Sequence, residues 1–148
     1  MRRFLFTLVQ LTWGLPQTLL GFILYLYWRR RGAITRMYHG AIVTEWTSGG
    51  GISLGLFVFV SGKARPSVTV HEYVHCIQSL LLGPLYLIAV GVPSYSWANL
   101  PTLRKMRRET GRSYYSVYPE NWANVLGEWA TGEKSPGLAL PVRRKTAH

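Results

Sequence analysis

The chain has 148 residues, only one of them Cys, and carries 17 Lys and Arg against 6 acidic residues, for a formal net charge of +11. One Cys excludes a disulfide scaffold, and the length bounds the fold to one domain, or one small domain with a membrane segment. Hydrophobic residues make up 48% of the chain and the basic residues cluster beside long apolar runs, which points to a membrane and away from nucleic acid.

Residues 4–28 contain no charged residue, which is long enough to cross about 30 Å of hydrocarbon. Gln10, Gly14, Pro16 and Gln17 lie in its middle, and a membrane helix tolerates such a Pro with a kink. A signal peptide is the alternative, but no small-residue cleavage site follows; Arg29-Arg30-Arg31 does. The expectation is an uncleaved transmembrane anchor over residues 1–31. The heavier positive flank then places the rest of the chain on the cytoplasmic side, as in a bacterial inner membrane.

Residues 33–61 change character. Two runs rich in β-branched and aromatic residues flank Ser48-Gly49-Gly50-Gly51, which predicts a β-hairpin with a flexible turn. The second run is apolar on both faces, so it should be covered by protein or membrane. Ser67 or Thr69 then begins a helix.

That helix carries His71-Glu72-Tyr73-Val74-His75. Imidazoles at i and i+4 share one face, about a turn apart, and both can reach one tetrahedral zinc ion. Glu72 stands where a carboxylate can take a proton from a zinc-activated water. The plainer reading is a capping box, Thr69-Val70-His71-Glu72, which explains Glu72 but not the second His. Cys76 lies roughly 100° around the helix from His75 and reads as a small buried hydrophobe.

Residues 77–98 are a second apolar stretch, broken by Gly83-Pro84 and Gly91-Val92-Pro93. A full span would leave Arg104–Arg108 across the membrane with no second uncharged run to bring the chain back. A broken hairpin, dipping into the membrane or buried, is therefore preferred. The domain proper should occupy residues 32–133, with 134–148 a basic flexible tail.

A catalytic zinc needs a third protein ligand and an open position. Positions 78 and 81 hold Gln and Leu, which excludes H-E-x-x-H-x-x-G-x-x-H. Candidates elsewhere are Glu45, Glu109, Glu120, Glu128, Glu133, His39 and His148. Glu120 is preferred and Glu128 is the fallback. Trp122, Val125, Leu126 and Trp129 give the Glu120 segment a helical apolar stripe. Asn124, one turn after Glu120, can accept a hydrogen bond from a ligand His and fix its tautomer. Tyr114, Tyr115, Tyr118 and His39 are candidate donors to a developing oxyanion.

A zinc helix bearing H-E-x-x-H, with Glu120-Asn-Trp-Ala-Asn124 on a later helix, resembles the gluzincin class of zinc metallopeptidases. The glutamate helix of that class commonly reads E-x-x-x-D, so Asn124 is a departure. The stretch His71 to Leu87 is also similar to small bacterial membrane proteins carrying H-E-Y-G-H and L-G-P-L-Y-L; Val74 replaces the Gly. The resemblance implies that Gly51–Val60 binds extended substrate by edge pairing.

The resulting expectation is an α+β protein: anchor helix, short β-hairpin or sheet, zinc-binding helix, broken apolar hairpin and glutamate helix. It would be a membrane-bound, zinc-dependent metallopeptidase. Its partners would be a peptide or protein substrate and membrane lipid, not nucleic acid. The rival is a non-catalytic membrane protein, with structural zinc or none, that binds a partner or anionic lipid through its basic clusters.

Overall fold

A computed structural model describes residues 2–116 and 118–133. The fold is α+β, with a four-stranded mixed sheet and six α-helices among the described residues. The predicted tail, 134–148, lies outside them.

The uncharged N-terminal run is not one kinked helix. It forms α1 (Arg2–Thr12) and α2 (Leu15–Arg29), bent by 101° between Phe4–Thr12 and Leu15–Arg29. No single helix among the described residues is long and apolar enough to cross a membrane. Pro16 sits in the first turn of α2, where its missing N–H costs nothing. The elbow is fixed by polar side chains that bond protein rather than lipid. Thr18 Oγ1 donates to Gln10 O at 2.9 Å, and Gln10 Nε2 donates to Cys76 O at 2.9 Å. Gln17 Nε2 donates to Ser79 Oγ at 2.7 Å and to Gly83 O at 3.0 Å. Both glutamines are fully buried. Buried amide donors rarely go without acceptors, and these bonds tie the elbow to the rest of the domain.

The sheet also departs from the predicted hairpin. Each predicted run contains a turn of its own. Strands β1 (Thr35–Tyr38) and β2 (Ala41–Trp46) pair antiparallel around His39-Gly40. Both turn residues have positive φ, 47° and 100°, as a two-residue hairpin turn of the right twist demands. Strands β3 (Gly51–Leu54) and β4 (Phe57–Ser61) pair antiparallel around Gly55-Leu56. The glycine-rich link joins the hairpins, and β2 runs parallel to β4. The order is β1-β2-β4-β3, so β4 is internal and β3 is an edge. The edge strand expected over Gly51–Val60 is therefore only Gly51–Leu54.

Internal β4 explains its uniformly apolar sequence. Phe57, Val58, Phe59 and Val60 are all buried, against α2 and the next helix. That helix, α3 (Pro66–Leu82), begins at Pro66, one residue before the first of the two predicted starts. The capping box does not form: Thr69 lies inside the helix and accepts from Arg36 Nη2 at 2.9 Å. Cys76 is buried in the core, as expected, and burial pushes its thiol pKa up.

Gly83, with φ 53°, ends α3. The apolar stretch then proceeds as a short tight turn (Gly83–Leu85), a widened helical turn (Leu87–Gly91) and α4 (Val92–Asn99). It is broken where the sequence indicated. Exposed, basic α5 (Pro101–Thr110) follows, and the chain returns through Tyr114–Ser116 to α6 (Glu120–Thr131), which packs on α3.

Candidate metal centre

The site forms where α3 meets α6. His71 and His75 project from one face of α3, and Glu120 opens α6 beside them. All three are buried. His71 Nε2 lies 2.8 Å from Glu120 Oε2 and 3.2 Å from His75 Nε2; His75 Nε2 lies 3.7 Å from the same oxygen. Ligand atoms held tetrahedrally at about 2.0–2.1 Å from one zinc ion are roughly 3.3–3.4 Å apart. The three separations bracket that value.

The imidazole tautomers are fixed from behind. His71 Nδ1 is 2.9 Å from Asn124 Oδ1, and His75 Nδ1 is 2.7 Å from Gln78 Oε1. A carbonyl oxygen can only accept, so each Nδ1 carries the proton. With both imidazoles neutral, that leaves two bare Nε2 lone pairs and one carboxylate oxygen facing a common point. Three acceptors cannot satisfy one another, and a shared metal cation resolves the conflict. Buried His71, His75 and Glu120 thus form a group able to hold a metal ion.

Protonated at Nε2, either imidazole would instead donate to Glu120, and the local charge reflects that pairing. Burial opposes ionisation of Glu120, but hydrogen bonding from His71, then from His75, outweighs it and holds the carboxyl well below the usual range. Burial likewise opposes charge on His75, yet the Glu120 hydrogen bond and the Glu72 charge raise its pKa. Ser94 donates a short hydrogen bond to Glu120 Oε1, leaving Oε2 to face the imidazoles.

Glu72 points toward the sheet edge. Ser53 Oγ lies 2.8 Å from Glu72 Oε2 and 2.6 Å from Glu72 O. Gly51 permits this approach: a Cβ there would collide with the Glu72 carboxylate. Glu72 and His75 line one cavity of about 320 Å³ with β3, Leu87, Gly91, Val92, Tyr95 and Tyr114.

Of the candidate oxyanion donors, two are brought to the site and two are not. Tyr114 lines the cavity, and the Tyr115 ring meets the His71 ring edge-on at 5.3 Å. Burial, then the nearby Glu charges, raises both phenol pKa values, so both remain neutral donors at neutral pH. Tyr118 is exposed and stacks on Trp122. His39 occupies the β1–β2 turn, in contact with Tyr38 and Tyr73 and 3.9 Å from Glu133.

The other carboxylates considered as third ligand also lie elsewhere. Glu109 faces Lys105, Glu133 accepts from Tyr38, and Glu45 lies beside Gly62. The Glu128 side chain and His148 lie outside the described residues. Sequence reasoning gave no site role to Gln78 or Ser94, and placed Gly51 and Ser53 only in the implied substrate strand, not against Glu72. Only Gln78 carried a signal, being one turn from His75 on the same helix.

The amide behind His71 yields a direct expectation. Asn124→Ala removes the acceptor from Nδ1, and such supporting residues typically contribute about 10–100-fold to metal affinity. Zinc titration against a chromogenic competitor should show a loss in that range; an unchanged affinity would mean that the Asn124 contact is incidental. No protein-family model, curated protein or solved structure matches this chain.

Proposed function

We propose that this protein is a membrane-associated, zinc-dependent peptidase of gluzincin type. The observation that carries the reading is the convergence of His71 Nε2, His75 Nε2 and Glu120 Oε2, with both Nδ1 atoms occupied from behind. Two imidazoles and one carboxylate are a catalytic zinc set that leaves a position open. When bound, zinc would supply Lewis acidity, which eases loss of a proton from water and polarises the carbonyl under attack.

The chain's own groups carry the remaining steps. Glu72 takes a proton from the attacking water and returns it to the leaving amine. Ser53 holds the Glu72 carboxylate against β3. As an edge strand beside Glu72, β3 can pair an extended peptide across the cavity mouth. Tyr114, in the cavity wall, and Tyr115, against His71, are the neutral donors this reading assigns to a developing oxyanion.

Membrane association is supported by the surface of the elbow. One side of α1 and α2 packs on the domain; the other exposes Phe4, Leu8, Trp13, Leu19, Phe22 and Ile23. Monomeric soluble proteins rarely expose so continuous an apolar face. Arg29 to Arg31 border it and suit anionic headgroups. With both helices held against the domain, the elbow lies along the membrane surface rather than across it.

The test is a flotation assay on vesicles of phosphatidylcholine and phosphatidylglycerol, coupled to hydrolysis of a quenched peptide library. The protein should float, cleave, lose cleavage to a chelator and regain it with zinc. Flotation without cleavage, indifferent to chelator and zinc, would favour the non-catalytic lipid-binding alternative.

A further inference from the structure

The broken segment after α3 carries a feature that metal binding does not require. Leu81, Leu85, Ile88, Val92 and Tyr95 follow a 4-3-4-3 spacing, and all are 60–71% exposed. Gly83 and the widened turn interrupt the helical path, so these residues form an exposed apolar series rather than one helical face. Its last two residues also line the cavity that holds Glu72 and His75. Leu54, Leu87 and Tyr86 extend the apolar lining inward from that rim. Polar side-chain groups in the lining come from Glu72, His75 and Ser53, from Ser94, Ser96 and Asn99, and from the hydroxyls of Tyr86, Tyr95 and Tyr114. None of the lining residues is Lys, Arg or Asp, and Glu72 is the only carboxylate among them. An exposed apolar rim therefore opens on a largely apolar recess beside the chemistry.

We infer that this recess selects substrate: it takes a large apolar side chain of a peptide segment that enters across the exposed apolar rim formed by Val92 and Tyr95. The inference rests on the proposed peptidase reading of the same site. The recess, about 320 Å³, admits a Leu- or Phe-sized group, and its one carboxylate, Glu72, is already engaged by Ser53. Its walls also contain the means of closing it. Gly91 lines the recess with helical backbone angles of −59° and −53°. A Cβ added there meets nothing nearer than Leu87 Cδ2 at 3.7 Å, an ordinary contact. Gly91 thus accepts a Cβ without strain, and Gly91→Leu adds apolar bulk at the wall of the recess.

The experiment compares fluorescein-labelled decapeptides that differ only in a central pair: Leu-Leu, Phe-Phe, Ala-Ala or Lys-Lys. Binding is read by anisotropy on zinc-loaded Glu72→Gln protein in phosphatidylcholine and phosphatidylglycerol nanodiscs, with and without Gly91→Leu. Burial of one Leu side chain predicts about tenfold or tighter binding of Leu-Leu than of Lys-Lys. Gly91→Leu should erase that preference while zinc stays at one per chain, which reports an intact fold. Equal binding of all four peptides, as when lipid acyl chains fill the recess, overturns the inference. So does a preference that survives Gly91→Leu with zinc retained. If Gly91→Leu loses zinc, Tyr95→Ala, at the exposed rim, replaces it and must weaken the Leu-Leu preference. The peptidase reading fails separately, if wild-type protein shows the binding preference but cleaves none of the peptides.

Discussion

Glu72→Gln is expected to retain one zinc per chain and lose peptide hydrolysis by about 10²–10⁴-fold, the usual contribution of a positioned general base. The substitution is nearly isosteric. The new amide oxygen can still accept from Ser53, and the side chain still fits under Gly51, where even a Cβ has no room. The metal group is untouched, because Glu72 supplies none of the three converging atoms. What disappears is a carboxylate that can take up a proton, since an amide cannot serve as a base at neutral pH. Zinc by elemental analysis and initial rates on the quenched peptides separate the two effects. Full activity in the variant would remove Glu72 from the mechanism. Joint loss of zinc and activity would show that the variant disturbs α3 rather than the chemistry.

The site is legible in the sequence to the extent that it is local to helices. His71, Glu72 and His75 are fixed by helical period alone, and Glu120 and Asn124 share that property on α6. Their long-range meeting follows from the demand for a third ligand, and the geometry brings the two helices together. Residues that reach the site through tertiary packing leave no such trace. Ser53 and Gly51 matter because β3 is the sheet edge over Glu72, which depends on strand order. Ser94 depends on how a broken apolar segment folds back over α6.

The two structural misreadings have a common cause. A long run of uniform composition reads as one element, although it holds its own break. His39-Gly40 and Gly55-Leu56 divide the two β runs, so four strands form where two were expected. Gly14 and Pro16 divide the N-terminal run into two helices at 101°. In each case tertiary partners decide the outcome. Phe22, Tyr25 and Phe57 cluster across α2 and β4. At Gly21 the α2 backbone comes so close to β3 that a Cβ would fall 2.5 Å from Leu54 O. A helix held so closely to a sheet is not surrounded by lipid. The uncharged run thus serves the core with one face and leaves the other apolar and exposed.

Glu120→Gln should reduce zinc affinity by more than the roughly 10–100-fold expected of a supporting residue, because it removes a ligand. The side chain keeps its volume, and its amide oxygen can still accept from Ser94, so α6 has no new void to collapse into. The charge is lost, however, and a neutral amide is a poor zinc ligand beside two imidazoles. His71 Nε2 and His75 Nε2 would still face one another at 3.2 Å, now without the carboxylate that completes the set. Competitive zinc titration of the wild type and the variant measures the effect, and thermal unfolding at saturating and at zero zinc checks it independently. A ligand that binds only the folded protein raises stability in step with its affinity. Zinc should therefore raise the unfolding temperature of the wild type and barely move that of the variant. Equal zinc-induced stabilisation of both proteins would place the third ligand elsewhere and break the link between α3 and α6 on which the peptidase reading depends.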